Sequence, residues 1–416
     1  MIGAIGWEKE MRVHQLPHAL GLGIAAVAML AAFPVGAKTI SVAPGGPDAN
    51  EALQEALILA EPGDIVELGA GVWKLTDGLS LDVDKVTLRG AGTKDGTGSI
   101  LDFSDQQGAG EGLLVTSDDV YLTNFAVLNT KGDGIKSKGA DRIVYHRLRV
   151  EWTAGPKETN GAYGVYPVES SDVLIDSVYV RGASDAGIYV GQSRNIVVRD
   201  SIATENVAGI EIENSFDADV HDNVATKNTG GILVFDLPSL PQQGGHNVRV
   251  FDNVVNDNST PNFAPKGNIV ASVPTGTGVL VMANSRVEIF DNVFENNGTA
   301  NVMIVGYRYP YQDDKYQPLP RDIAAWNNEH GKAGFAPAFP GGAEIAAAMG
   351  GAIPPVLWDG AGSAIFNDDV GVLSLNLPDV STPQSEAKPS PADLKGDAPT
   401  PLPGITLPAA MEAKVR

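Results

Sequence analysis

The stretch "DAGIYVGQSRNIVVRDS", residues 185–201, is answered six residues later by "VAGIEIENSFDADVHDN", residues 207–223. Each holds a glycine, a short run in which apolar side chains alternate with others, a polar turn, and a second alternating run. Alternation at a period of two marks an extended strand with one buried face. Aligning the chain on the glycine and the apolar residue after it gives Gly112-Leu113, Gly134-Ile135, Gly164-Val165, Gly187-Ile188, Gly209-Ile210, Gly231-Ile232 and Gly278-Val279. Most steps are 22 or 23 residues; those of 30 (Gly134 to Gly164) and 47 (Gly231 to Gly278) carry insertions, the latter over about two periods. A 22-residue unit of three short strands, with no helix-length stretch inside it, predicts one coil of a parallel β-helix. A leucine-rich repeat shares the period but needs a fixed leucine lattice, whereas these coils prefer Val and Ile. The expectation is an all-β solenoid of about nine coils, a rod roughly 40 Å long at the spacing of paired strands.

Asparagines recur in register with the glycines. Asn223, Asn253 and Asn292 each follow an Asp, and Asn206, Asn228 and Asn297 each lie nineteen residues after a coil glycine. Stacked amides at a turn can satisfy the backbone groups that a tight corner leaves unpaired, so these are read as scaffold. Residues 49–61, "ANEALQEALILAE", place Ala, Leu and Ile at helical spacing and stop at Pro62-Gly63, which predicts a short helix capping the open N-terminal coil. The repeat is expected to span residues 38–305, with 306–380 a C-terminal cap or strap and the Pro-rich 381–416 a disordered tail.

Composition narrows the partners. The chain has 416 residues, 43% of them hydrophobic, and 51 acidic against 29 basic side chains for a net charge of -22. Such a surface repels nucleic acid, and it repels polyanionic sugars unless a local basic patch reverses the field. Residues 1–37 read as a signal peptide ending in Val35, Gly36 and Ala37, with translation starting at Met1 or Met11. No later segment has the length of a membrane span, so the mature chain is expected to be periplasmic or secreted with no stable span after processing. It contains no cysteine, so neither disulfides nor haem attachment enter the argument.

The opening "PGGPDANEALQEALILAEPGDIVELGAGVWKL", the "VTLRGAG" after it, and the coils around "DAGIYVGQS" and "AGIEIENS" resemble the right-handed parallel β-helix proteins related to pectate lyases, pectinesterases and mannuronan C5-epimerases. The resemblance is greatest to a bacterial exported group of undefined function, and covers roughly residues 38–305. It implies a right-handed coil, a polysaccharide or envelope protein as partner, and a functional association with a c-type cytochrome. Single-domain epimerases of this kind carry an Asp-Pro-His-Asp motif. Here Asp219-Val220-His221-Asp222 stands in its place, with valine for proline, so the resemblance implies catalytic roles for His221 and Asp222.

Because a β-helix interior is filled, chemistry must use outward side chains aligned from coil to coil. With Ile188 and Val190 inward, Tyr189 points out. Its column is Lys136, Tyr166, Tyr189, Glu211 and Leu233; two positions on come Lys138, Val168, Gly191, Glu213 and Phe235, with Asp133 and Asp185 just before the strands. Uronate lyases and epimerases need a base for the proton at C5, a group that neutralises the adjacent carboxylate, and a proton donor. Glu211, Lys136 or Lys138, and Tyr189 fit those roles, with Tyr166, Glu213, Asp185 and Asp133 binding substrate. No metal loop is present; calcium on Glu211, Glu213 and Asp185 is the one cofactor considered. A second column, His146, Asp176, Arg199 and His221, is either a ladder of ion pairs or a groove. Insertions at 153–163, after Asp236 and after Asp257 are expected to wall a cleft, and Tyr307, Tyr309, Tyr311 and Tyr316 either stack on sugar or pack the C-terminal strap. Two functions follow: a polysaccharide lyase or epimerase, or a non-catalytic carbohydrate- or protein-binding scaffold.

Overall fold

The computed structural model describes residues 36–416 apart from 47, 109 and 398. Residues 1–35 of the expected signal peptide (1–37), and with them the choice of start, lie outside the described residues. Among the described residues no helix is long and apolar enough to cross a membrane.

Three sheets run along the solenoid, parallel throughout except for the last strand of sheet C, Ser390–Ala392, which pairs antiparallel with Val372–Ser374. Sheet A holds twelve strands from Thr39–Val42 to Ala364–Phe366, sheet B ten from Gly71–Lys74 to Glu329–His330, and sheet C twelve from Leu79–Leu81 to Ser390–Ala392. One coil visits them in the order C, A, B: Ala186–Gly191, Arg194–Arg199 and Ile202–Thr204, before the chain returns to sheet C at Ala208–Glu213. The connections wind right-handed. The alternation read from the sequence is the inside and outside of this tube. Ile188 and Val190 stack on Ile210 and Ile212, these on Ile232 and Val234, and all are completely buried.

Asparagine amides close the corners. Asn206 Nδ2 donates to Asn228 Oδ1 (3.1 Å), Asn228 to Asn258 (3.2 Å) and Asn258 to Asn297 (3.1 Å). A second ladder runs Asn223, Asn253, Asn292, Asn328 and ends on Asp368 at 2.9–3.0 Å per step. Helix α1 (Ala49–Leu59) closes the first coil, burying Ala49, Leu53, Ala56 and Leu57. Its Asn50 accepts the N–H groups of Thr76 and Asp77, and Gln54 pairs with both backbone groups of Ser80, so the edge below it is met by polar partners as well as packing.

The coils continue past residue 305, where the sequence pattern fades. Arg321–Trp326, Val356–Trp358, Ala364–Phe366 and Val372–Ser374 extend sheets A and C. The excursion carrying α2 (Gly342–Ala348) interrupts the repeat without ending it. Nor is the tail loose. Residues 399–416 run back across the outer face of sheet A: Leu402 N–H donates to Glu288, Ile405 N–H to Asp219, Glu412 pairs with Arg199, and Leu407 and Met411 cover Val144, Leu174 and Val197. Its prolines suit it to an extended strap that adds no strand to the sheet.

Replacing Asn228 with alanine removes four side-chain hydrogen bonds, two accepted from Asn206 and two donated to Ala203 and Asn258, all in the dry interior. Stranding that many buried partners should lower stability by about 2–4 kcal/mol. The solvent-facing Glu55→Ala on helix α1 should cost well under about 1 kcal/mol. Denaturant midpoints of the two variants check the difference.

Candidate functional site

The outward face of sheet C carries both columns expected from the sequence. Lys136 pairs with Tyr166 and Tyr189 with Glu211; Lys138, Val168, Gly191, Glu213 and Phe235 follow one another coil by coil. Tyr189 does not stand straight out from its strand. Its ring lies across Gly191, where a Cβ would sit 2.4–2.8 Å from the ring carbons and hydroxyl. That gap lets the phenol reach the neighbouring coil and donate to Glu213 Oε1 at 2.7 Å. The glycine in mid-strand is thus the vacancy through which the two columns meet.

Tyr163, which the sequence reading did not single out, completes the site. It lies one outward position before Tyr166 and packs on both partners, with ring centroids 4.5 Å from Tyr166 and 4.5 Å from Tyr189; Tyr166 and Tyr189 meet edge to face at 4.9 Å. Its column continues as Ala186, Ala208 and Gly230, a shelf of small residues. Onto this shelf folds the loop between Asn256 and Thr277, whose Val270 and Val273 join the same apolar cluster and whose Asn268 donates to Asp185 at 2.9 Å. Strict alternation would turn Tyr163, two residues before the inward Val165, into the core; the alternation breaks at Gly164, whose Cβ position faces Val180 in the interior, so the period carried no signal for it.

The electrostatics are unusual for so acidic a chain. Glu211 is 1% exposed, and its Oε2 has no hydrogen-bond partner. Burial, then the charges of Asp185 and Glu213, hold its carboxyl well above the usual range. Burial likewise pushes Asp185 and Glu213 up to about 7, against the opposing bonds from Asn268 and Tyr189, and Asp133 up to about 6 despite Lys136. The phenols of Tyr163 and Tyr189 are raised well above their ordinary value, mainly by burial, and stay protonated. Lys136 lies at the edge, 3.1 Å from Glu111, 3.6 Å from Asp133 and 4.8 Å from the Tyr166 ring centroid. Near neutral pH Glu211 and the phenols therefore favour their protonated forms, Asp185 and Glu213 are partly protonated, and Asp133 is largely ionised beside the one cation at the rim. Among the described residues no group of three or more His, Cys, Asp and Glu side chains is arranged to hold a metal ion.

Several expected members lie elsewhere. Lys138 turns outward to Glu169 at 3.8 Å. The column of His146, Asp176, Arg199 and His221 belongs to sheet A, around the bend made by the left-handed residues Gln192 and Asn214, so it faces away from Tyr189. His146 is buried and bonded to Tyr121 (2.8 Å), and Arg199 is held between Asp176 and Glu412 beneath the C-terminal strap. His221 stacks on Phe251 at 4.8 Å and bonds Asp222, whose positive φ makes the turn before the Asn223 ladder. "VHDN" is a corner of the scaffold in this fold, and Asp219 of the same motif anchors the strap with Arg249. Of the tyrosine run, Tyr316 is buried and donates to the carbonyl of Asp236, while Tyr309 remains exposed.

The raised carboxyls fix the sign of a pH dependence. Between about pH 4 and about pH 7 the folded chain keeps protons on Asp185 and Glu213 that the unfolded chain has released, so unfolding free energy falls as pH rises through that window and levels off above it. Their stabilising contribution is complete below the ordinary carboxylate values and lost above about pH 7. The double variant Asp185→Asn, Glu213→Gln should show a shallower decline in thermal midpoint between pH 5 and 8; parallel curves for variant and parent would contradict the assignment.

Comparison with known proteins agrees with this architecture. The family described as "Right handed beta helix region" matches residues 95–239. No curated protein matches the chain. Among solved structures it is similar to the A-module of the mannuronan C-5 epimerase AlgE4 of Azotobacter vinelandii, at 18% identity over 77% of this chain and 83% of that one, with a TM-score of 0.54. It is also similar to the catalytic unit of an α-1,3-glucanase from Streptomyces thermodiastaticus, at 17% identity over 80% of this chain and 63% of that one, with a TM-score of 0.50. At such identities the likeness is one of fold: a right-handed parallel β-helix.

Proposed function

We propose that the protein acts on an extracytoplasmic polysaccharide at the outer face of sheet C, as a uronate lyase or C5-epimerase. The observation that carries this reading is the buried Tyr189–Glu213 pair beside a Glu211 oxygen that no protein group satisfies. In the fraction of molecules in which Glu211 is ionised, its carboxylate is a strong base with a free lone pair for the proton at C5, and a phenol held by a neighbouring carboxyl is suited to donate one. The substrate carboxylate would be received by Lys136 and by a hydrogen bond from Asp185 in its protonated form, which lowers the cost of bringing a uronate to an acidic chain.

Non-catalytic glycan binding is the second reading, and one observation favours it: Tyr189 is 4% exposed and Glu211 1%, so reacting atoms reach them only if the Asn268 loop lifts.

The deciding experiment incubates the mature protein, with and without calcium, with alginate, polygalacturonate and neutral glucans. It follows ultraviolet absorbance of unsaturated ends, and hydrogen exchange at C5 by NMR in deuterated water. Activity should fall at least about a hundredfold in Tyr189→Phe and Glu211→Gln, the scale of a lost general acid or base. Gly191→Ala, whose added Cβ would meet the Tyr189 ring first, should lose comparable activity in a chain that still unfolds cooperatively. Saturable glycan binding without exchange or cleavage on any substrate would transfer the assignment to the binding protein.

A further inference from the structure

Beyond Glu211 and Glu213 the two outward columns of sheet C turn apolar. Glu211 is followed by Leu233, Leu280, Met303 and Leu357, and Glu213 by Phe235, Met282 and Val305. The columns lie two residues apart on each strand, about 7 Å, and climb about 4.8 Å per coil, which makes a trough parallel to the solenoid axis. Three excursions from the coils wall it: the Asn268 loop through Val273 and Pro274, the α2 excursion through Phe339 and Ile345, and the segment after Ser374 through Leu377 and Val380. The space they enclose is about 600 Å³, in the range of small-molecule pockets.

The chemistry of the lining selects the occupant. Arg308 is the cation here, and it is spent on Asp359 and on the carbonyls of Leu377, Asp379 and Thr382. Every buried side-chain polar atom lining the trough has a partner, in contrast to Glu211. Nothing in it calls for an anion or a hydrogen-bonding ring. A narrow floor of aliphatic and thioether side chains over three coil steps suits a flexible unbranched chain, with Met282 and Met303 able to adjust to it. The polar end is set by the register: Phe235, at the mouth, directly follows Glu213.

We propose that the trough binds an alkyl or acyl chain, and that the sugar handled at Tyr189 and Glu213 carries such a chain, so that the ligand is a glycolipid or an acylated saccharide. The second half rests on the polysaccharide reading above; the first stands on the trough alone.

The test is calorimetric titration of the mature protein with decanol, decyl glucuronide below its micellar concentration, and glucuronate. Decanol should bind saturably at one site, and decyl glucuronide more tightly than either of its parts. Met303→Trp, which fills the trough, should weaken decanol by about tenfold or more, since two methylenes kept from burial already reach that scale. Val305→Phe serves the same purpose if the tryptophan disturbs folding. Absence of saturable decanol binding, or binding indifferent to both substitutions, overturns the trough and leaves the polysaccharide reading untouched. Decanol and decyl glucuronide binding equally would overturn the link between trough and sugar site.

Discussion

Every coil from Asn206 onward closes on an asparagine amide, and the rest of the molecule depends on that closure. Asn206, Asn223, Asn228, Asn253 and Asn292 each donate the backbone N–H to the side chain of the Asn in the next coil, while the Nδ2 reaches that same oxygen and a carbonyl of the coil before. Three coils are tied through one side chain, in surroundings where an unmade bond is costly. The glycine repeat belongs to the same constraint. A Cβ on Gly209 would lie 2.8 Å from Asn228 Nδ2 and 2.5 Å from the Gly231 carbonyl, and one on Gly187 2.7 Å from Asn206 Nδ2. The nineteen-residue interval from glycine to asparagine is the path from the strand that must pass close to the amide to the corner that supplies it.

With the interior committed to stacking, the exterior is free to vary, and the site is built from that freedom. The two outward columns of sheet C carry Lys136, Tyr166, Tyr189, Glu211 and Glu213 in the register read from the strand period alone. Period and alternation are local properties, so they survive in a sequence read without a structure. What the period could not supply was the bend of Tyr189 across Gly191, or the Asn268 loop returning to Asp185 from 83 residues away. Both are tertiary contacts with no imprint on the local pattern.

The same distinction explains the tail and the sheet A column. His146, Asp176, Arg199 and His221 are a true column, but whether a column is a groove or a seat depends on what lies over it. Glu412 answers for Arg199, and Leu407 and Met411 for the apolar face beside it. A Pro-rich terminus with few apolar residues reads as unfoldable because it cannot build a core of its own. Here it needs none, since the solenoid supplies the surface and Asp219 and Glu288 accept its N–H groups. Similarly, the repeat was lost near residue 305 because the excursions over 306–320 and 331–353 break the spacing while the strands of sheets A and C resume beyond them.

Glu211 separates scaffold from chemistry most sharply. Its column neighbours show what stability asks of that position: Leu233, Leu280 and Met303 occupy it in the next three coils, each buried and packed in one apolar cluster. A leucine at 211 would continue that cluster. Instead a carboxyl is buried to the same depth, with one oxygen unpaired and two further acids close enough to raise its pKa. An unsatisfied buried polar group costs about 1–3 kcal/mol, and nothing in the fold recovers that cost at this position. The neighbouring Glu213 has its phenol and Asp185 its amide; Glu211 alone has an oxygen facing the tyrosine cluster with nothing yet bound to it. A structural account of the coil explains every other residue in that column and leaves this one over, which is the physical reason to place the chemistry there.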